Sequence, residues 1–344
     1  MLAFILNLPL FQNMSYLFAD IVIPVAVSGT FTYAVPQELR LTVRRGSLVN
    51  VPFKKSKSIP GLVVAVHNTP PADFSAREIT TLFPGEISLP DRLTDFLLWV
   101  SDYYMAYPGE VFKAALPSPE DLARPVRARR KTVAGDPEAG PLPPAELNRV
   151  QKESFDSISR LFSEREAVLL HGVTSSGKTE IYIHLMREQL ALGRQVLYML
   201  PEIALTTHIT ERLRKHVGSS IGAFHSRLTP AARREVWKRV SDGSLRAVLG
   251  VRSSLFLPFS DLGLIIVDEE HDSSYKQYDP APRYHARDAA MMLARIHGGR
   301  TLLGSATPSL ESYHNASAGR YGLVELMTRY GDVMMPEMII ADTR

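Results

Sequence analysis

The stretch "HGVTSSGKTEIY", residues 171–182, decides the fold of this chain. It holds glycine, glycine, lysine and threonine at the spacing G-x-x-x-x-G-K-T, which is the spacing of a phosphate-binding loop. The apolar run before it, residues 167–170, predicts a buried strand, and a helix is predicted to begin near Lys178. Backbone N–H groups of such a turn and of the helix N-terminus face phosphate groups. The pattern therefore predicts a nucleoside triphosphate site in an α/β domain.

Each part of this loop has a predicted role at the nucleotide. The ammonium group of Lys178, which we expect to be exposed, reaches the β- and γ-phosphates, and the hydroxyl of Thr179 coordinates Mg²⁺. The glycines allow the backbone to curl closely around the anion. The predicted ATP-binding residues of the loop are Gly172, Val173, Thr174, Ser175, Ser176, Gly177, Lys178 and Thr179.

A second stretch, "LGLIIVDEEHDSSY", residues 262–275, places acids at the end of an apolar run. Ligands of open α/β sheets bind beyond the carboxyl ends of the strands. Asp268 is predicted to hold Mg²⁺, and Glu269 is predicted to orient and deprotonate the attacking water. Surface turn chemistry is the alternative, and the accompanying phosphate loop disfavours it. Together with Lys178, these two acids are the predicted catalytic residues.

Composition sets limits on the remaining functions. The chain has 344 residues, a formal net charge of +3 and no cysteine. Disulfides and thiolate zinc sites are therefore excluded within it. The apolar beginning, residues 1–14, lacks the features of a secretory signal and is too short to span a bilayer. We expect a cytoplasmic protein without a membrane partner.

The pattern of the chain predicts two domains and a linker. Residues 20–116 contain short strand-like runs and, at 89–107, an amphipathic helix, so a small β-rich domain is expected. Residues 117–146 are rich in proline, glycine and charge, which is typical of a flexible linker. From residue 147 to 344, apolar strands alternate with helices, which predicts a parallel sheet with helices on both faces.

Two short segments have alternative interpretations. Residues 1–13 of the leader 1–19 either precede a true start at Met14 or form a short apolar strand. Within the linker, the basic run 124–131 either touches phosphates or is simply solvated.

The run Asp268-Glu269-Glu270-His271 resembles the DExH box of superfamily 2 helicases, whose motor is a RecA-like P-loop NTPase lobe. Further short strings resemble the motifs of this superfamily in the same order. They are 200–206 (motif Ia), 225–228, 250–256 (motif Ib) and 305–307 (motif III). Gln151 stands where such enzymes place an adenine-reading glutamine. The resemblance implies that Glu270, His271, Ser305 and Thr307 couple the nucleotide site to the nucleic-acid path.

The sequence "DEEHDSSYKQYDPAPRYHARDAA", residues 268–290, is similar to that of the PriA family of replication restart helicases. In related helicases this loop couples DNA contact to ATP hydrolysis. Its tyrosines can stack on bases and its cations can follow phosphates. Alternatively, the tyrosines pack on the lobe. The predicted DNA-binding residues of the lobe are Tyr275, Tyr278, Tyr284, Lys276, Arg283, Arg287 and Arg252.

The N-terminal part resembles the domain with which this family captures the 3′ end of a nascent strand. Phe31 is predicted to stack on the last base. The family pattern has an acid where this chain has Thr32 and a glycine where it has Lys54. Threonine lacks the charge of an acid, and the lysine favours phosphate, so weak discrimination of a free 3′ hydroxyl is expected.

The resemblance implies a 3′→5′ DNA helicase that uses ATP and Mg²⁺ at stalled or D-loop-like forks and loads the primosome. Branched and single-stranded DNA, single-strand binding protein and other primosome proteins are the implied partners. Family members also carry a winged-helix domain, a second RecA-like lobe with an arginine finger, and zinc-binding cysteines. This chain has a linker in the place of the winged helix and no cysteine. We therefore expect a truncated form. The alternatives are a non-hydrolysing module that binds fork DNA and ATP, and another superfamily 2 translocase.

Overall fold

The computed structural model describes residues 17–54, 57–83, 88–116, 142–202 and 207–329. The predictions for the leader segment 1–13 and for the basic run 124–131 lie outside these residues. So do most of the linker and residues 203–206 of the predicted motif Ia.

An antiparallel sheet forms the N-terminal domain, as the short alternating runs predict. Its five strands have the order β2-β1-β4-β3-β5. Gly61 lies on the strand 57–67, which pairs with the strand that contains Ile21. A Cβ at Gly61 would come within 2.4 Å of the Ile21 side chain. The strands are β1 (Phe18–Val22), β2 (Phe31–Ala34), β3 (Leu48–Phe53), β4 (Lys57–His67) and β5 (Thr81–Leu82).

Two helices, not the single helix predicted over 89–107, follow this sheet. They are α1 (Asp91–Tyr103) and α2 (Pro108–Ala115). Met105 between them has a φ of +50°, which no helix interior contains. Pro108 occupies the first turn of α2, where its missing N–H is not needed. The left-handed residue and the proline together explain why the chain turns here.

The C-terminal domain is a seven-stranded parallel sheet with the order β12-β6-β11-β10-β7-β9-β8. Its strands are β6 (Ala167–Gly172), β7 (Gln195–Met199), β8 (Ile221–Phe224), β9 (Ala247–Gly250), β10 (Leu262–Asp268), β11 (Arg300–Ser305) and β12 (Gly322–Leu326). The helices of this domain are α3 (Arg149–Glu164), α4 (Lys178–Ala191), α5 (Thr207–Val217), α6 (Pro230–Ser241), α7 (Ala286–Ile296) and α8 (Leu310–Ser317).

Helices cover both faces of this sheet, so the predicted fold class is confirmed. Alternate residues of β6 belong to two separate apolar clusters: Val168 and Leu170 pack with α3, α4 and α5, whereas Leu169 packs with α6, α7 and α8. Strands that are buried on both faces read as continuous apolar runs. This explains why the sequence shows the strands of the lobe so clearly.

Helix α1 packs against the C-terminal domain although it follows the N-terminal sheet in the chain. The rings of Phe96 and Phe256 lie 5.8 Å apart. Arg92 Nη1 donates to the carbonyl oxygen of Ser260 at 2.9 Å, and Tyr104 Oη donates to that of His285 at 3.2 Å. The two domains therefore share an apolar core through α1.

The order of the strands brings the predicted motifs together. Strand β11 lies between β6 and β10, with Gly304 beside Asp268 and Ser305 beside His171. The phosphate loop, the acidic run and the predicted motif III thus begin at the same edge of the sheet. Within the described residues, no helix is long and apolar enough to cross a membrane.

Candidate functional site

A cavity of about 530 Å³ lies at the carboxyl edge of the parallel sheet. It brings together the four predicted residues of the nucleotide chemistry, Lys178, Thr179, Asp268 and Glu269. Most of the predicted loop residues line it as well. The further lining residues are Ala145, Glu146, Gln151, Thr174, Ser175, Ser176, Gly177, Glu180 and Arg212.

The phosphate loop adopts the tight backbone that its glycines predict. Gly177 precedes the first residue of α4 with a φ of +85°, and Ser175 also has a positive φ, of +63°. A Cβ at Gly177 would come within 2.1 Å of Gln151 Nε2, so glycine is required there by space as well as by conformation.

Lys178 is not exposed as expected. The residue is 9% exposed, and its Nζ donates to the carbonyl oxygen of Gly172 at 2.7 Å. The side chain therefore folds back across the loop, where the carbonyl at the end of β6 partly compensates the ammonium charge. Lys178 nevertheless belongs to the lining of the cavity.

Gln151, the predicted adenine-reading residue, lines the cavity and also bonds to the backbone around it; its contact with adenine stays a prediction. Its side chain is buried, its Oε1 accepts from the backbone N–H of Asn148 at 3.0 Å, and its Nε2 donates to the carbonyl oxygen of Ser176 at 3.3 Å. Both ends of the amide are thus bonded to the backbone. In this arrangement Gln151 caps α3 and holds the phosphate loop, and one N–H of the amide and one lone pair of its oxygen remain for a ligand in the cavity that it lines.

The predicted catalytic acids, at the end of β10 and directly after it, lie in two different environments. Asp268 accepts hydrogen bonds from Tyr182 Oη at 3.0 Å and from Tyr198 Oη at 2.9 Å. Burial raises the pKa of Asp268, and the two tyrosine hydroxyls oppose this shift. The side chain of Glu269 is 41% exposed on a residue with a φ of +48°, so a sharp turn aims it away from the strand.

The donor set around the cavity fits Mg²⁺. The hydroxyl of Thr179 and the carboxylate of Asp268 are oxygen ligands, and Mg²⁺ in phosphate sites usually binds one or two protein oxygens together with water and substrate phosphates. Among the described residues, no group of three or more histidines, cysteines or acids could hold a metal by itself.

Three of the four predicted coupling residues are in contact. His271 Nδ1 lies 2.8 Å from Ser305 Oγ, and its Nε2 lies 3.4 Å from Thr307 Oγ1. Ser305 Oγ also accepts from the backbone N–H of Thr307 at 3.0 Å. A short chain of hydrogen bonds therefore joins the end of β10 to the end of β11.

The fourth, Glu270, is fully buried and contacts different groups. Its carboxylate accepts from the backbone N–H of Ser309 at 2.7 Å, from Ser312 Oγ at 2.7 Å and from Arg287 Nη1 at 3.1 Å. These bonds connect the acidic run to the N-terminus of α8.

The pairing with Glu270 corrects the phosphate-contact role predicted for Arg287. This arginine is 8% exposed, and its Nε also donates to Asp288 Oδ1 at 2.8 Å. A guanidinium that neutralises a buried carboxylate cannot move away without leaving that buried charge uncompensated, which is strongly destabilising.

The aromatic loop, residues 275–284, keeps two of its three tyrosines inside the lobe. Tyr275 and Tyr284 are each 1% exposed, which corrects the prediction that they stack on bases. Tyr275 Oη donates to the carbonyl oxygen of Asp268 at 2.7 Å, and Tyr284 Oη donates to that of Arg252 at 3.2 Å. The alternative, in which the tyrosines pack on the lobe, holds for these two.

Tyr278 is the exposed tyrosine of this loop, with 70% of its surface accessible. Arg283 is exposed beside it and donates from Nε to the carbonyl oxygen of Tyr278 at 2.8 Å. Lys276 Nζ donates to the carbonyl oxygen of Arg283 at 2.7 Å, and Arg252 Nη1 donates to that of Ser274 at 3.1 Å. The cations thus shape the loop that presents the Tyr278 ring.

A second cavity of about 400 Å³ lies in the N-terminal domain, where the 3′-end pocket is predicted. It is lined by Thr30, Phe31, Thr32, Tyr33, Pro52, Phe53, Lys54, Phe74, Ser75 and Arg77. The rings of Phe31 and Phe53 meet edge to face at 6.4 Å. Lys54 has a φ of +54°, which explains why a glycine suits this position in the family pattern.

The neutral residue Thr32 is paired with an acid on the neighbouring strand. Its Oγ1 donates to Asp20 Oδ1 at 2.7 Å, and the same oxygen lies 3.4 Å from His67 Nε2. The two strands place Asp20 directly opposite Thr32.

Two family profiles match successive parts of the chain. Residues 20–117 match the 3'DNA-binding domain (3'BD) of PriA, and residues 148–316 match the DEAD/DEAH box helicase family. The replication restart protein PriA of Rickettsia conorii is 38% identical over 328 residues, which cover 94% of this chain and 48% of that protein.

The chain is a relative of PriA. PriA of Bacillus subtilis is 41% identical over 203 residues, which are 58% of this chain and 25% of that protein. The chain spans about half the length of the Rickettsia relative, 48%. A solved structure, the DUF1998 helicase MrfA bound to DNA, is 19% identical and has a TM-score of 0.40, with 53% of this chain and 26% of that chain covered.

Neither the motifs nor the PriA resemblance singled out four residues that line the cavity or contact Asp268. Tyr182 and Tyr198 contact Asp268, while Arg212 and Glu180 line the cavity and form an ion pair. The signal for Tyr182 is its position one helical turn after Lys178, towards the sheet. For Arg212 no sequence signal exists, because only the packing of α5 brings it to the cavity.

Proposed function

We propose that this chain binds ATP and Mg²⁺ in the cavity at the carboxyl edge of its parallel sheet, as the first motor lobe of a PriA-type DNA helicase. The observation that carries the proposal is the convergence of Lys178, Thr179, Asp268 and Glu269 on this one cavity. These residues come from two stretches about ninety positions apart, and they supply the cation, the hydroxyl and the two carboxylates that phosphoryl transfer needs.

The residues of this chain would divide the chemistry as follows. Lys178 exchanges its bond to the Gly172 carbonyl for the β- and γ-phosphate oxygens, while N–H groups of the loop and of α4 surround them. Thr179 and Asp268 would hold Mg²⁺, which neutralises charge on the phosphates. Glu269, half exposed at the cavity, orients the attacking water and accepts its proton.

The hydrogen-bonded residues His271, Ser305 and Thr307 support a coupling role. They join the strand that carries the catalytic acids to β11. Tyr275 adds a second connection, because its hydroxyl is bonded to the backbone of Asp268 while its chain continues into the aromatic loop. A displacement of that loop by DNA would thereby reach the catalytic strand.

DNA is the proposed partner of both domains, and the match to the 3'DNA-binding domain supports it. In the N-terminal cavity Phe31 would stack on the last base, and Lys54 and Arg77 would contact phosphate. On the lobe, Tyr278, Lys276 and Arg283 would contact a single strand. Fork recognition, 3′→5′ movement and an interaction with single-strand binding protein or primosome proteins belong to the same proposal, as does a cytoplasmic location.

The proposal is tested by the binding of a fluorescent ATP analogue and of forked DNA to the purified chain. We expect saturable binding of both, with separate losses in Lys178→Ala for the nucleotide and in Tyr278→Ala for DNA. A chain that folds but binds neither nucleotide nor fork would overturn it.

A further inference from the structure

The carboxylate of Asp268 is held by two side chains from outside its own strand. Tyr182 Oη donates to Oδ1 at 3.0 Å, and Tyr198 Oη donates to Oδ2 at 2.9 Å. We propose that Tyr182 and Tyr198 are positioning residues that hold the Asp268 carboxylate in place for the metal ion of the bound nucleotide. This inference rests on the proposed function, because it deepens the role of the same cavity.

The two tyrosines are themselves held rigidly. Both rings are almost fully buried, at 0% and 1% exposure, and they meet at 5.6 Å with an angle of 72° between their planes. Tyr182 lies on α4, the helix that begins at Lys178. Tyr198 lies on β7 beside Ile266 of β10. The phosphate loop helix and a neighbouring strand thus each send one hydroxyl to the same carboxylate.

A glycine on the third element makes room for this arrangement. Gly304 of β11 is the register partner of Asp268. A Cβ at Gly304 would come within 1.9 Å of Tyr182 Oη, so any larger residue would displace this hydroxyl. Gly304 directly precedes Ser305 of the predicted motif III. The hydroxyl of Tyr182 therefore lies where the loop helix, the catalytic strand and motif III meet.

The hydrogen bonds limit how Asp268 can serve a metal ion. A carboxylate has about four lone-pair positions. Tyr182 and the backbone N–H of Glu269, at 3.2 Å, use those of Oδ1, and Tyr198 uses one of Oδ2. One position on Oδ2 is left, so Asp268 would contact the ion, or a water of its shell, through a single oxygen. Partners of a ligand that fix its orientation typically contribute about 10–100-fold to metal affinity.

The test compares nucleotide affinity with and without metal. A fluorescent ATP analogue is titrated into the wild-type chain, Tyr182→Phe and Tyr198→Phe, once in excess Mg²⁺ and once in EDTA. In EDTA, we expect each variant to bind the analogue with an affinity within about twofold of that of the wild type. The factor by which Mg²⁺ increases this affinity should be about 10-fold smaller in each variant than in the wild type. Tyr321→Phe is the control, since its half-buried hydroxyl bonds to Asn315 at 3.3 Å away from the cavity.

Gly304→Ala provides a second test that leaves both hydroxyls in the protein. It should reproduce the loss of the Mg²⁺ gain by moving the Tyr182 hydroxyl. Thermal melting identifies any variant that fails to fold. The variants that do fold then show whether the tyrosine hydroxyls position Asp268. An unchanged Mg²⁺ gain in both folded phenylalanine variants overturns the positioning role alone. A wild-type chain that binds the analogue in neither condition overturns the proposed nucleotide site instead.

Discussion

Lys178 Nζ lies 2.7 Å from the carbonyl oxygen of Gly172, so the two ends of the phosphate loop are joined by the side chain that is proposed to bind phosphate. The ammonium group is thus buried against the backbone of the loop. On the proposed binding of a nucleotide, this group would exchange the Gly172 carbonyl for phosphate oxygens, and its ammonium charge would already be buried.

Lys178→Ala is expected to lower ATP affinity at least about tenfold, which corresponds to about 1.4 kcal/mol. The lost Nζ bond to Gly172 should also lower the free energy of unfolding by about 1 kcal/mol. Calorimetry measures the affinity for ATP, and denaturant titration measures the free energy of unfolding. Lys152→Ala is the matched control, because Lys152 is an exposed lysine on α3 that pairs with Asp156. Equal ATP affinity in the Lys178 variant and the wild type would refute the assignment.

Glu269 and Glu270 are neighbours, yet substitution should separate their roles. Glu270→Ala removes one of the two acidic partners of the buried Arg287 and leaves the hydrogen-bond donors around Glu270 unpaired, so it should cost about 3–5 kcal/mol of stability. Glu269→Gln changes a half-exposed carboxylate and should cost less than about 0.5 kcal/mol. Urea denaturation of both variants makes the comparison. Similar losses in the two would contradict the buried network described for Glu270.

Tyr278→Ala is expected to weaken single-stranded DNA binding by about 1–3 kcal/mol, because its ring is exposed and can stack on a base. Tyr278→Phe keeps the stacking face and should bind nearly as the wild type does. Fluorescence anisotropy with an oligonucleotide at fixed salt measures both. If the phenylalanine variant loses as much as the alanine variant, the contact depends on the hydroxyl and not on stacking.

Turnover by a polypeptide of these 344 residues is expected to be negligible, below about one ATP per second, with no strand unwinding. The described residues contain one parallel sheet, which faces the nucleotide from one side. An arginine that approaches from a second lobe is worth about 10³ to 10⁵ in rate in related NTPases. A coupled-enzyme assay with and without forked DNA measures this. Faster DNA-stimulated hydrolysis would favour the motor over the non-hydrolysing module.

Discrimination of a free 3′ hydroxyl is expected to be weak. Thr32 already donates its proton to Asp20, and no charged acid takes the place of the family residue. Paired fork oligonucleotides, one with a 3′ hydroxyl and one with a 3′ phosphate, should differ by less than tenfold in affinity. Lys54→Gly is the informative variant, because a residue at a φ of +54° suits glycine and the backbone could then approach the sugar. A strong hydroxyl preference in the wild type would contradict this interpretation of Thr32 and Lys54.

Thr32→Asp is expected to destabilise the N-terminal domain, and it is a separate test of the same pair. The new carboxylate would lie directly opposite Asp20, and like charges across neighbouring strands repel. Thermal melting of Thr32→Asp, with Thr32→Asn as the isosteric control, measures the effect. Equal melting temperatures would show that Asp20 does not decide which residue is tolerated at position 32.

The sequence by itself determined the fold class and the residues of the proposed nucleotide site. A phosphate loop is one contiguous turn of backbone between a strand and a helix, so its glycines, Lys178 and Thr179 are sufficient to predict it. Strands buried on both faces leave continuous apolar runs, and the end of such a run located Asp268 and Glu269. These features depend on residues that are close together in the chain.

Only the tertiary structure decided which side chains of these motifs are accessible and which neighbours they meet. The sequence predicts Tyr275, Tyr284 and Arg287 as DNA-binding residues. In the structure the two tyrosines are buried in the core of the lobe, and Arg287 is paired with the buried Glu270. Tyr182 and Tyr198 reach Asp268 because β7 and α4 pack beside β10. Segments that are distant in the chain decide whether a ring is buried and which groups a carboxylate contacts. A local sequence pattern does not show which of these segments pack together.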